Sequence, residues 1–161
     1  MRKLDLRVAG LLRGSGLTLA VAESCSGGLL AKRLTDIPGS SGYFLLGVVT
    51  YANSAKEKVL NVPKELIDQH GAVSSEVALA MAAGVRTLSG SDLSIATTGI
   101  AGPEGGTAEK PVGTVFIALV SPSGSEAVRY CFAGSRETIR EATAEASLQL
   151  LLNYFRAASE S

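Results

Sequence analysis

Leu17-Thr18-Leu19-Ala20-Val21-Ala22-Glu23-Ser24-Cys25-Ser26-Gly27-Gly28 is the stretch on which the fold turns. Leu17 to Ala22 is a short, mostly apolar run, the pattern of a strand covered on both faces. An acid, hydroxyls, a thiol and glycines follow at once. Helical character then resumes over Leu29-Leu30-Ala31-Lys32-Arg33-Leu34 and stops before Pro38-Gly39. A buried strand that turns directly into a helix is the repeating unit of a parallel sheet with helices packed on its faces.

The rest of the chain repeats that alternation. Leu4, Val8, Leu11 and Leu12 predict a helix over 3–14, stopped by Gly14-Ser15-Gly16. Tyr43 to Tyr51, rich in aromatic and β-branched residues, reads as a second buried strand. Short helices follow over Ser54 to Leu60 and from Pro63 to His70-Gly71. Ser74 caps a longer one that stops near Gly90. Leu93 to Thr98 is a third strand. Gly113 to Val120 and Ala127 to Phe132 flank Pro122-Ser123-Gly124 as a hairpin, and Ser135 caps the last helix. The expected architecture is α/β: a three-layer α/β/α sandwich whose five-stranded sheet is mixed and mostly parallel, with one strand reversed by the hairpin. No repeat or linker divides residues 1–161, so one domain is expected.

Composition narrows the chemistry. Fifteen basic and fifteen acidic side chains cancel, which removes the electrostatic reason for nucleic-acid binding. No apolar run reaches the about 20 residues needed to span a bilayer. The charged start, Met1-Arg2-Lys3-Leu4-Asp5, reads as helix rather than signal peptide. Cys25 and Cys131 do not make a disulfide framework, and a cytoplasmic address fits. A single histidine, His70, excludes a multi-histidine metal site, and its place beside Gly71 suits a helix C-terminus. No cofactor is expected. Cys131, inward by alternation, is expected in the core.

Polar clusters fall at three strand ends, where ligands sit in sheets of this kind. At the first, Gly27 and Gly28 let backbone N–H groups approach an anion, the following helix adds its positive end, and Ser24, Cys25 and Ser26 are nucleophile candidates. The alternative is a plain turn with Ser26 as helix cap. It is not a Walker A loop, a GxGxxG or a GxSxG. At the second, Tyr51 precedes Lys56; an amine near a phenol can move protons, whereas the plain reading is a strand-end Tyr and a solvated Lys. Four residues separate them, one more than in short-chain dehydrogenases, and no dinucleotide fingerprint lies upstream. The third, Thr97-Thr98-Gly99-Ile100-Ala101-Gly102-Pro103-Glu104-Gly105-Gly106, opens a loop too long for a mere connector. Arg136 and Arg140, one turn apart at a helix start, oppose the helix dipole and invite an anion; a solvated face is the alternative.

AESCSGG (22–28), GSSGYFLLGVVTYANSAK (39–56), HGAVS (70–74), TTGIAGPEGG (97–106) with EKPVGTV (109–115), and FAGSRETIR (132–140) occur in this order. Together they resemble the C-terminal domain family of the competence/damage-inducible protein CinA, from about Leu6 to Phe155, in stand-alone form. The resemblance implies the three-layer sandwich and a metal-independent nicotinamide-nucleotide amidase, which turns nicotinamide mononucleotide and water into nicotinic acid mononucleotide and ammonia in pyridine-nucleotide recycling. It implies site residues Ser24, Ser41, Tyr51, Lys56 and Thr98, with Arg140, or else Arg136, as the family's arginine. Ser26 stands where many relatives carry Thr, which keeps the hydroxyl.

On this reading Ser24 attacks the carboxamide, the Tyr51/Lys56 pair activates it, and Ser41 relays or orients the proton. Gly27 and Gly28 N–H groups hold the oxyanion. Thr98, Gly99 and Gly102 shape the ribose and phosphate end, with Arg140 or Arg136 on the phosphate. Water activated directly by Lys56 and Tyr51 is one rival, and a Cys25 nucleophile another. A non-catalytic nucleotide-binding or regulatory module linked to competence or DNA damage is the alternative from a different class. The expected partner is a small-molecule nucleotide, with neither nucleic acid nor membrane, and a homo-oligomer, dimer or higher, is expected.

Overall fold

The computed structural model describes residues 1–160. The helices are α1 (Lys3–Ser15), α2 (Leu29–Thr35), α3 (Asn53–Leu60), α4 (Lys64–His70), α5 (Ser75–Ser89) and α6 (Arg136–Ser159). The strands are β1 (Leu19–Glu23), β2 (Phe44–Val49), β3 (Leu93–Gly99), β4 (Thr114–Ser121) and β5 (Gly124–Cys131). Local chemistry sets most boundaries. Gly16 and Gly90 end α1 and α5 in left-handed conformations, and the hydroxyls of Ser74 and Ser135 accept from Val77 N and Thr138 N to start α5 and α6.

The five strands form one mixed sheet in the order β2-β1-β3-β4-β5. β1 pairs in parallel with both β2 and β3, and β4 runs antiparallel to both of its neighbours. One reversed strand in an otherwise parallel sheet is what the Pro122-Ser123 hairpin requires. Val8, Leu12, Leu30, Ile139, Leu148 and Leu151 fill one face under α1, α2 and α6. Val77, Met81, Val85, Leu60 and Ile67 fill the other, under α3, α4 and α5. These are the layers of an α/β/α sandwich, each element burying one apolar stripe.

Two sequence expectations change. Tyr43 to Tyr51 does not give a strand buried on both faces: β2 is an edge strand on which half-buried and exposed residues alternate. A continuous apolar run suggests cover on both sides, but the crossovers put β2 outermost. Cys131 is exposed, not core, because β5 is the opposite edge. Alternation gives the phase of a strand, not which of its faces is covered.

The crossovers leave β1 through α2 to β2 on one side, and return through α3, α4 and α5 to β3 on the other. The connections therefore diverge at the carboxyl end of β1, the crevice where open α/β sheets bind ligands. Glu23 lies level with Val49 on β2 and Thr97 on β3, so Ser24, Thr50 and Thr98 emerge together there.

Candidate active site

Backbone hydrogen bonds hold the three strand ends at one level. Ser24 N donates to Thr97 O at 3.0 Å, and Thr50 N donates to Glu23 O at 2.9 Å. The turn after Ser24 is then tied from within. Gly27, in a left-handed conformation, donates its N–H to Ser24 O at 3.1 Å. The fully buried Glu23 carboxylate accepts from Leu30 N and Ala31 N, both at 3.0 Å. The first turn of α2 thus meets its own chain's anion rather than an open site. Ser26 is not a helix cap either: its hydroxyl is bonded to Thr97 Oγ1 at 2.7 Å and fully buried. Among the described residues, the Ser26 and Gly28 N–H groups have no carbonyl partner, whereas the expected Gly27 donor is already used.

Lys56 lies one turn into α3, where side chains lean back toward the helix start. That lean carries its ammonium over the end of β2 into the crevice. Nζ contacts Thr50 O at 2.8 Å, Tyr51 O at 3.0 Å and Ser24 Oγ at 3.0 Å. The residue is 1% exposed, and burial pushes its pKa down to about 8 from the ordinary 10.5. As a neutral amine, Lys56 donates its two N–H bonds to the two carbonyls. Its lone pair is left facing the Ser24 hydroxyl, which is the orientation a general base needs.

Tyr51 takes a different part from the one its spacing suggested. Its carbonyl, not its phenol, meets Lys56. The phenol oxygen accepts from Arg136 at 2.8 Å, and the other terminal nitrogen of Arg136 donates to Gly102 O at 2.8 Å. Thr98 Oγ1 donates to Ala72 O at 2.8 Å, and Lys110 Nζ ties the long loop to His70 O and Val73 O. Ser24, Cys25, Tyr51, Asn53, Lys56, Ala72, Val73, Thr98, Gly99 and Ala101 line an open cavity of about 190 Å³. A cavity of about 470 Å³ on the α6 side is lined by Leu29, Arg136, Glu137, Arg140 and Glu141. Arg136 lines the larger cavity and holds Tyr51, which lines the smaller. Arg140 packs against Gly27, donates to Ser26 O at 3.3 Å, and has a buried Nε without a partner.

The structure thus brings together Ser24, Lys56, Tyr51, Thr98, Gly99 and Arg136, with Gly27, Gly28 and Arg140 adjoining. Gly102 takes part through its carbonyl. Ser41 stands apart, exposed in a 3-10 turn (Ser40–Gly42) at the opposite end of β2. Six residues at about 3.3 Å each put it roughly 20 Å from Ser24 within the chain. Cys25 lies in the crevice, yet burial pushes its thiol up to about 12, so it offers no thiolate. Asn53, Ala72 and Val73 line the cavity without having been singled out; Asn53 was findable as the first residue of the helix carrying Lys56. Among the described residues, no three His, Cys, Asp or Glu side chains cluster as a metal site.

A family described as CinA C-terminal domain matches residues 1–155. The chain belongs to the CinA C-terminal domain family. A CinA-like protein of Geotalea uraniireducens is 64% identical over 137 residues, 85% of this chain and 33% of that protein. One of Geobacter sulfurreducens is 57% identical over 148 residues, 92% of this chain and 36% of that protein. This CinA domain therefore spans about a third of the length of those relatives. Among solved structures, competence damage-inducible protein A of Klebsiella pneumoniae superposes with a TM-score of 0.90 at 39% identity, over 92% of both chains. A competence/damage inducible protein of Agrobacterium tumefaciens gives 0.88 at 41% identity, over 94% of this chain and 93% of that one.

Proposed function

We propose that this CinA domain is a serine–lysine amidohydrolase that converts nicotinamide mononucleotide to nicotinic acid mononucleotide and ammonia. The observation that carries the reading is the 3.0 Å contact between Lys56 Nζ and Ser24 Oγ, at a buried amine whose pKa desolvation lowers to about 8. Ser24 Oγ attacks the carboxamide carbon while Lys56 takes its proton. Lys56 then gives a proton to the departing nitrogen, which leaves as ammonia. Water, deprotonated by Lys56, cleaves the resulting ester and frees the carboxylate and Ser24. A donor from the Ser24–Gly28 turn holds the oxyanion.

The two cavities suit the two ends of such a substrate. The smaller admits a planar carboxamide ring, and the larger presents Arg136 and Arg140 to a phosphate. Arg140 is the better phosphate ligand, since Arg136 already serves Tyr51 and Gly102. The chemistry asks for no metal, and the reaction belongs to the salvage of pyridine nucleotides. A non-catalytic nucleotide-binding module is the competing reading. Ammonia release from purified protein and nicotinamide mononucleotide, with Lys56→Ala as control, separates the two. Release lost in Lys56→Ala supports the amidase; no release by the wild type, with ligand still bound, favours the module.

A further inference from the structure

Of the polar side chains that line the smaller cavity, all but one are already engaged. Ser24 and Lys56 face each other, the Tyr51 phenol is held by Arg136, and the Thr98 hydroxyl donates to Ala72 O. Burial keeps the Cys25 thiol protonated. The exception is Asn53. Among the described residues, no group hydrogen-bonds its side chain, although an amide offers two N–H donors and an acceptor oxygen.

Local structure gives Asn53 no duty either. Asparagine is favoured one step before a helix, where its oxygen accepts from a backbone N–H, and it is a mediocre helix former inside. In α3 the cap position belongs to Ala52, with no side-chain cap hydrogen bond, and Asn53 is the first helical residue. Its exposed side chain stands at the rim of the open cavity. Lys56 follows three residues later on the same helix face, a spacing that sets Cβ atoms about 5–6 Å apart.

We infer, resting on the amidase reading, that Asn53 Oδ1 accepts an N–H of the substrate carboxamide and so selects a primary amide and orients its leaving nitrogen. Two elements meet at Ser24. Its own turn offers the unpartnered N–H groups of Ser26 and Gly28, which suit the carbonyl oxygen. The other element, α3, delivers Lys56. Lys56 protonates the departing nitrogen, so that nitrogen has to lie toward α3, where Asn53 stands one turn away. The carboxamide nitrogen carries two hydrogens. Holding one of them fixes the rotation of the amide, so that when the carbon becomes tetrahedral the nitrogen lone pair faces Lys56. Asn53 itself transfers no proton: ammonia leaves with its two original hydrogens and the one that Lys56 supplies. An ester has no N–H for Oδ1 to accept.

Paired substrates test this. Nicotinamide mononucleotide and the methyl ester of nicotinic acid mononucleotide share ring, ribose and phosphate, and differ in the leaving group. Asn53→Ala is expected to lower kcat/KM for the amide about ten- to thirty-fold and for the ester less than about three-fold. Lys56→Ala is expected to lose both activities. A side chain that merely shaped the crevice, or supported Lys56, would affect the two substrates alike. Equal losses on amide and ester therefore overturn the inference, as does an amide rate that Asn53→Ala leaves unchanged. Failure of the amidase reading shows elsewhere, in wild-type protein that releases no ammonia from nicotinamide mononucleotide, and that result removes the role of Asn53 with it.

Discussion

Arg136 grips Tyr51 and Gly102 together, donating to the phenol oxygen and to the carbonyl at 2.8 Å each. One guanidinium thus joins the end of β2, the glycine loop and the start of α6. On the proposed mechanism Tyr51 orients the site and lies outside the proton path from Ser24 to Lys56. Loss of a charged hydrogen bond costs about 1.5–3 kcal/mol, so Arg136→Met is expected to lower kcat/KM about ten- to hundred-fold. Tyr51→Phe is expected to lower it less than about ten-fold, with the pH profile unmoved. Steady-state kinetics of the two variants checks this. A Tyr51→Phe enzyme as inactive as Lys56→Ala would put the phenol in the proton path.

Lys56 sets the pH dependence. On the proposed mechanism the neutral amine is the base, so kcat/KM is expected to rise with pH through an apparent pKa of about 8 and then level. Stability moves in the same direction. The folded pKa is below the ordinary 10.5, so between about 8 and 10.5 the unfolded chain binds more protons than the native one, and stability rises with pH. Above about 9 the Cys25 thiol, raised to about 12, opposes it, because only the unfolded chain ionises there. The window from pH 8 to 9 therefore reads Lys56. Urea unfolding is expected to show a gain of up to ~1 kcal/mol across it, absent in Lys56→Met.

Cys25 is expected to be inert. It is 5% exposed and its thiol is held protonated by burial, whereas Cys131 is exposed. Iodoacetamide at pH 8 should label Cys131 alone in the folded protein, and Cys25→Ala should keep activity within about three-fold of wild type. Loss of activity on labelling Cys131→Ser would bring the thiol back into the chemistry.

Glu23 is the internal anion of the α2 N-terminus. Its removal in Glu23→Ala leaves the Leu30 and Ala31 N–H groups without their carboxylate, at a cost of about 3 kcal/mol in denaturant unfolding. Glu23→Gln keeps an acceptor and is expected to lose less than half as much. Equal losses in the two variants would mean that the carboxylate's charge, not its shape, is what the helix needs.

What could be read from the chain was what depends on neighbours in sequence: the caps at Ser74 and Ser135, the glycine stops, the reversed strand of the hairpin, and the polar strand ends. What could not be read depends on strand order. Tyr43 to Tyr51 reads as buried until the crossovers place it at the edge, and Cys131 reads as core until β5 proves to be the other edge. Lys56 reads as solvated or as a partner of the Tyr51 phenol. Its contact with Ser24 exists only because β1 and β2 end at the same level, with Glu23 opposite Val49. Ser41 shows the same limit, since a motif close to Tyr51 in sequence is carried to the far end of the strand.

The central claim is covalent catalysis by Ser24, and the most direct measurement is mass analysis of enzyme acid-quenched through its first turnover of nicotinamide mononucleotide. The account predicts an adduct on the peptide carrying Ser24, heavier by the substrate less ammonia, that forms before nicotinic acid mononucleotide accumulates and is absent from Ser24→Ala. Product accumulating with no adduct at any time point would contradict it, and would leave Lys56 activating water directly.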